Sequence, residues 1–117
     1  MKKLTKKDIM VFDGTVRGAL KACLDAGYIP TTLVETNQLL RDNILDKTKW
    51  YDTRTSNFQY ELRDLSLKEL KDIENFYGKG GRVLFVDSSS YGGGLLGYLN
   101  LYNCGRFVGV RRKKEVE

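Results

Sequence analysis

The amino-acid sequence predicts a single α+β domain: two N-terminal helices, a β-hairpin, a third helix and a C-terminal three-stranded antiparallel sheet. Three observations predict this order. Capping boxes at Thr32 and Ser66 each open a stretch with the apolar spacing of a helix. The single proline, Pro30, separates the first two helices. From Arg82 onwards, β-branched and aromatic runs alternate with glycine-rich stretches, as is typical of strands joined by turns.

The first helix is predicted over Thr5 to Ala26, with Thr5 as N-cap and Gly27 just past its end. Its apolar stripe is formed by Ile9, Phe12, Val16, Leu20 and Cys23. An alternative is that the helix breaks at Asp13-Gly14 and restarts with Asp13 as N-cap. In the continuous helix, a row of small residues would let a second copy of the chain approach closely, namely Gly14, Gly18 and Ala22.

The middle of the chain predicts a second helix, a hairpin and a third helix. The second helix starts after Thr32 and runs to about Leu45. Trp50-Tyr51 and the alternating run Phe58–Leu62 are then the two strands of the hairpin, and the polar residues 52–57 form its loop. The third helix starts after Ser66 and continues to about Tyr77, where Gly78 ends it.

The C-terminal part predicts three antiparallel strands. They are expected at Arg82–Asp87, Leu95–Tyr102 and Arg106–Arg112, with Asn103–Gly105 as the turn between the last two. The glycine-rich stretch Asp87–Gly97 connects the first two strands. It matches neither a phosphate-binding P-loop nor a dinucleotide fingerprint, because no lysine and no helix follow its glycines.

Positive charge is concentrated at the two ends of the chain. The net charge is +5, yet residues 8–105 contain 11 basic and 13 acidic residues. A basic N-terminal arm (residues 1–7) and a basic C-terminal tail (residues 111–117) therefore flank the domain. Such a charge distribution favours an acidic partner, above all nucleic acid or a nucleoprotein, although solvated tails that maintain solubility would look the same.

The predicted binding residues fall into three groups. Phosphate contacts are expected from Lys79, Arg82, Arg106, Arg111, Arg112, Lys113 and Lys114. Two tyrosines on one strand face are expected to stack on bases or to contact a partner, namely Tyr98 and Tyr102. The third group is a loop that suits a nucleotide if it binds a ligand at all, namely Ser88, Ser89, Ser90, Gly92, Gly93 and Gly94.

The composition argues against most enzymes. Without histidine, the usual catalytic triads and most zinc sites are excluded, and no metal or cofactor is expected. Cys23 is expected in the core, and Cys104 in a turn with no histidine to activate it. A carboxylate cluster for a metal nuclease would have to combine Asp13, Asp52 and Asp87 with Arg54, and their spacing does not show that they converge.

The sequence therefore predicts a small, non-catalytic, cytoplasmic protein that binds nucleic acid or a nucleoprotein. No apolar run reaches the roughly 20 residues of a membrane span, so no membrane partner is expected. Two alternatives remain open. One is a protein–protein adaptor or inhibitor of an accessory or mobile-element type, either monomeric or homo-oligomeric. The other is a nucleotide-binding protein that uses the loop of residues 88–94.

Overall fold

The computed structural model describes residues 3–86 and 100–112, which form a six-stranded mixed sheet with helices on both faces. A short 3₁₀ turn, Lys6–Asp8, precedes the first strand. The strands and helices that follow are β1 (Ile9–Thr15), α1 (Val16–Asp25), β2 (Tyr28–Pro30), α2 (Leu33–Arg41), β3 (Tyr51–Phe58), β4 (Glu61–Asp64), α3 (Leu67–Lys71), α4 (Ile73–Gly78), β5 (Arg82–Val86) and β6 (Cys104–Arg111).

The predicted three-stranded antiparallel sheet is wrong, although the α+β class is correct. β6 pairs along its length with β1 and near its end with β2, both antiparallel. It also pairs with β3 in parallel, through Asp52 and Phe107. β3 in turn pairs with β4 and β5. The C-terminal strand therefore joins the sheet through the N-terminal half of the chain, a non-local pairing that sequence periodicity does not reveal.

The first half of the predicted N-terminal helix is strand β1. Ile9 packs in the cluster beneath α2, whereas Phe12 packs in the cluster beneath α1, so the two side chains lie on opposite faces of the sheet. The helix starts only after Thr15, whose Oγ1 accepts a hydrogen bond from Gly18 N at 2.9 Å. The predicted row of small helical residues is wrong as well, because Gly14 lies in β1 with a φ of 151°.

Two hydrophobic clusters, one on each face, hold the helices against the sheet. On one face, α1, α3 and α4 bury side chains around Phe107 and Val83. On the other, α2 buries Leu39 and Leu40 against Val86 and Val108. Side chains alternate between the faces along each strand, so neighbouring residues such as Phe107 and Val108 serve different clusters.

The second and third helices begin where the sequence predicts. Both Thr32 and Ser66 accept a hydrogen bond from a backbone N–H three residues on, and the glutamate at that position accepts one in return. α2 ends at Arg41, short of the predicted Leu45. The third predicted helix is interrupted at Asp72, where φ is −115°, and this divides it into α3 and α4.

The predicted hairpin exists, but its turn lies elsewhere. Residues 52–57, expected to be the loop, form most of β3, and the turn consists of Gln59 and Tyr60. These two residues have φ values of 52° and 66°. Asn and Gly normally occupy such a two-residue turn, because a left-handed conformation costs other residues roughly 1–2 kcal/mol each.

Strand β3 is polar and yet lies in the middle of the sheet. Asp52, Thr53, Thr55 and Ser56 are all buried. The β3–β5 register is irregular between Asp52 and Ser56, so the regular pattern of backbone hydrogen bonds is interrupted there. Side chains of β3 form hydrogen bonds in its place. Thr53 Oγ1, for example, donates to Leu84 O at 2.9 Å and accepts from Thr55 N at 3.2 Å.

At the C-terminal end, the predicted strand Leu95–Tyr102 is wrong where it can be followed. Residues 87–99 lie outside the described part of the chain, and Leu101 and Tyr102 form a turn. The predicted turn residues Cys104 and Gly105 instead begin β6. A Cβ atom at Gly105 would lie 2.6 Å from Val16 Cα, so only glycine lets α1 pack this closely on β6.

We expect the substitution Thr53→Val to destabilise the fold by about 1–3 kcal/mol. Valine keeps the volume and the β propensity, but the buried Leu84 carbonyl and Thr55 amide lose their hydrogen bonds to the Thr53 hydroxyl. Urea denaturation measures the change. The matched control is Thr48→Val, because the Thr48 hydroxyl is exposed and can be replaced by water. Equal, small effects of both substitutions would contradict a structural role for the Thr53 hydroxyl.

Candidate functional site

The directions of the strands determine which side chains share an end of the sheet. β6 leaves the sheet at the end where β1 enters, because Ile9 pairs with Val110. β5 also enters at this end, because it runs antiparallel to β3, which is parallel to β6. Segments that are far apart in sequence thus bring their basic residues to one end. We call this end the cationic end, formed by Lys7, Lys79, Arg82, Arg111 and Arg112.

The two arginines at the end of β6 are held by neighbouring groups. The guanidinium of Arg111 lies over the ring of Tyr28, 5.1 Å from its centroid, while much of the side chain remains exposed. Arg112 donates from its backbone N to Gly27 O at 2.9 Å and from Nη2 to Leu24 O at 2.8 Å. Both arginines are therefore positioned by α1 and β2.

Lys79 and Arg82 lie where α4 leads into β5. Lys79 follows the last residue of α4 and is exposed. Arg82 donates from Nη1 to Tyr77 O at 3.0 Å, and its guanidinium lies 4.9 Å from the centroid of the Tyr77 ring. Burial raises the pKa of Tyr77 to about 12, so this residue stays a neutral phenol beside the arginine.

Arg106 lies at the opposite end of the sheet, apart from the other predicted phosphate contacts. Its Nε donates to Asp13 Oδ1 at 2.7 Å, and its Nη1 donates to Trp50 O at 3.1 Å. Its backbone N donates to Asp52 Oδ2 at 2.9 Å. Two of the carboxylates considered for a metal site, Asp13 and Asp52, thus converge on an arginine. Asp87, the third, lies outside the described residues.

Asp52 is the carboxyl group with the most unusual environment. It is 2% exposed, between the backbones of β5 and β6. Burial raises its pKa to about 7, an effect that the hydrogen bond and the positive charge of Arg106 partly offset. The neighbouring strands therefore shield this carboxyl group from solvent.

Of the predicted stacking tyrosines, Tyr102 lies in a turn at the end of the sheet that carries Arg106. The turn is closed by Asn100 N, which donates to Asn103 Oδ1 at 2.7 Å, and the Tyr102 side chain is 71% exposed. Several other predicted site residues lie outside the described part of the chain, namely Tyr98, Lys113, Lys114, Ser88, Ser89, Ser90, Gly92, Gly93 and Gly94.

The hairpin places a different aromatic residue at the cationic end. Phe58 pairs with Glu61 at the end of β3, and between them the Tyr60 side chain projects fully into solvent. The alternating run Phe58–Leu62 instead predicts a strand that passes through Tyr60. No turn-forming residue marks the Gln59-Tyr60 pair, so the sequence carries no signal for this position.

Both cysteines, Cys23 and Cys104, are free thiols that form no disulfide with each other. Burial raises the pKa of Cys23 to about 12, whereas Cys104 is exposed. Within residues 3–86 and 100–112, no three or more Cys, Asp and Glu side chains group together in a way that could hold a metal ion. In the same part of the chain, no helix combines the length and the apolar character that crossing a membrane requires.

The raised pKa of Asp52 predicts a particular dependence of stability on pH. The folded protein keeps this proton up to about pH 7, whereas an ordinary aspartate releases it near 3.8. Between these values the folded state binds more protons, so the free energy of unfolding falls as the pH rises, and it levels off above pH 7.

We expect Asp52→Asn to remove this dependence and to stabilise the protein at pH 8, by up to about 4 kcal/mol. Asparagine stays neutral and can still accept the hydrogen bond from Arg106 N. Urea denaturation at pH 5, 6, 7 and 8 measures the effect. The exposed carboxylate of Asp25 provides the control, Asp25→Asn. Parallel pH curves for wild type and Asp52→Asn would show that Asp52 titrates normally.

No protein family, no curated protein and no solved structure matches this chain.

Proposed function

We propose that this chain is a non-catalytic binding protein of the cytoplasm, and that it engages nucleic acid or a nucleoprotein through the cationic end. The observation that carries the proposal is the pairing of Ile9 with Val110. This register brings Lys7, which lies just before β1, and the basic end of β6 to the same end of the sheet. A phosphate backbone could contact both at once, which the concentration of charge at the chain termini alone would not ensure.

The arrangement of the cations supports the proposal. Arg111 and Arg82 each lie over a tyrosine ring, which limits the loss of side-chain entropy when they bind a phosphate. Lys7 and Lys79 are exposed and can move to meet a flexible ligand. Asp25, an acid at the end of α1, is already paired with Lys21 at 2.8 Å. The negative charge of Asp25 is therefore partly neutralised before any ligand binds.

The surroundings of Asp52 support binding without catalysis. A carboxyl group with a pKa of about 7 would suit a general acid or base. Asp52, however, is 2% exposed and lies between two strands of the sheet, so a substrate cannot reach it. Its raised pKa is better explained as a consequence of structural burial.

Neutralising two exposed cations of this end tests the proposal. We expect Lys79→Gln combined with Arg111→Gln to weaken binding to labelled single-stranded DNA, duplex DNA or RNA in fluorescence anisotropy. Each phosphate contact that is lost should reduce the slope of log affinity against log salt by about 0.7–0.9. The double variant should therefore bind with a visibly smaller salt dependence than the wild type.

The matched control removes the same charge from the other end of the sheet. Lys47 and Lys49 are exposed and precede β3 at the end opposite Lys79 and Arg111. Lys47→Gln combined with Lys49→Gln should leave affinity and salt slope close to wild type. Equal losses in both double variants would indicate an unspecific effect of net charge. Undetectable binding by the wild type at low salt would refute the proposed function.

A second candidate function, association with a protein, is favoured by the edge strand β1. Within the described part of the chain, β1 pairs with β6 alone, and it exposes two apolar side chains, Met10 at 46% and Val11 at 40%. A strand edge with apolar side chains can add a strand from a partner, and a second copy of the chain offers the same edge.

If two copies pair through this edge, size-exclusion chromatography with light scattering should show a dimer at high protein concentration. Met10→Lys should then shift the mass to that of a monomer, because a charge at the edge opposes strand addition. The exposed residue Val34, on α2, provides the control, Val34→Lys. A wild type that is monomeric at all concentrations would exclude this self-association.

A further inference from the structure

We propose that the nucleic acid bound at the cationic end is single-stranded, and that Tyr60 stacks on one of its bases. This inference rests on the proposed function. It adds the class of nucleic acid that is bound and a residue that contacts its bases. It starts from the β3–β4 hairpin, whose apex carries an aromatic ring with no protein surface covering it.

The conformation of the hairpin turn is the first argument. Tyr60 has a φ of 66° and follows Gln59 with a φ of 52°, so both turn residues are left-handed. Glycine or asparagine would adopt this conformation at lower cost. The Tyr60 ring is fully exposed and therefore gains no burial in return. Residues held in such costly conformations are concentrated at sites of function, and an exposed ring suits contact with a ligand.

The position of Tyr60 among the cations is the second argument. Asn57, near the end of β3, pairs with Arg82 at the start of β5. A Cβ atom at Gly80 would lie 3.9 Å from Phe58 Cε1, so the loop that carries Lys79 lies beside the base of the turn. Phe58 also packs on Phe76 of α4, with ring centroids 5.9 Å apart. The hairpin apex is thus fixed next to two of the cations.

The chemistry of this arrangement favours a single strand. An aromatic ring stacks on any base, and a neighbouring cation contacts the adjoining phosphate, which together are the elements of single-strand binding. In a duplex, each base is already stacked between its neighbours and its face is inaccessible. The carboxylate of Glu61, beside Tyr60, disfavours a phosphate at the apex itself, so a base is the better occupant there.

The test compares two oligonucleotides that differ only in their bases. One is oligodeoxythymidylate of about 12 nucleotides, and the other is an abasic strand with the same number of phosphates. We expect the wild type to prefer the strand with bases. Tyr60→Gly should lose about tenfold in affinity for this strand and should bind the abasic strand as the wild type does. Tyr60→Phe keeps a ring that can stack and should retain the preference.

The variants also separate binding from folding. Glycine relieves the left-handed turn, so Tyr60→Gly should have a higher melting temperature than the wild type although it binds less tightly. Gln59→Gly relieves the turn in the same way but keeps the Tyr60 ring, and it should bind both strands like the wild type. A loss of affinity in Tyr60→Gly alone therefore identifies the ring as the cause.

The results distinguish a failure of this inference from a failure of the proposed function. If the wild type binds both oligonucleotides equally, or if Tyr60→Gly binds the thymidylate strand as tightly as the wild type, the stacking role is refuted and the cationic end remains a phosphate site. If the wild type binds neither strand nor duplex DNA at low salt, the proposed function is refuted and the stacking role falls with it.

Discussion

The structure depends on the burial of a polar strand. β3 pairs with β4, β5 and β6, yet Asp52, Thr53, Thr55 and Ser56 replace the apolar side chains that such a position normally holds. Each of them is hydrogen-bonded to another element or to the strand itself. Arg54 links β3 to the neighbouring segments, because its Nε donates to Pro30 O and its Nη1 donates to Leu65 O. A buried polar group without such partners would cost several kcal/mol, so the positions of β2, β4 and β6 around β3 are closely constrained.

Local sequence signals correctly predicted the structural features that depend on local interactions. The capping boxes at Thr32 and Ser66 are complete within four residues, so the starts of α2 and α3 could be predicted without knowledge of the rest of the fold. Residues 9–15 show the limit of this approach. Their apolar spacing fits a helix, but seven backbone pairings with β6, nearly 100 residues later, outweigh it. Residues 52–57 show the converse case: their polarity is typical of a loop, and only the hydrogen-bonding partners supplied by other strands make a central strand of them.

The candidate site was predictable in its charges and not in its geometry. The concentration of basic residues near the termini can be counted in the sequence, but which residues share an end of the sheet follows from strand direction. Lys79, Arg82, Arg111 and Arg112 share one end of the sheet because β3 and β6 are parallel, a pairing on which the sequence carries no signal. Arg106, equally basic, is directed to the other end by its pairing with Asp13. The exposed position of Tyr60 could not be predicted, because it depends on a left-handed turn that tyrosine disfavours.

The placement of β6 has a consequence for the synthesis of the protein. β6 is the partner strand of β1 and β2 and the parallel neighbour of β3, and it is the last strand among the described residues. On the ribosome, residues 9–86 are synthesised before residues 104–111. During this time β1 lacks its partner strand, and the backbone groups on both of its edges are unpaired. The sheet can be completed only after β6 has left the exit tunnel. Protection of the nascent chain from aggregation during that interval then falls to chaperones and to the charged side chains that surround the waiting strands.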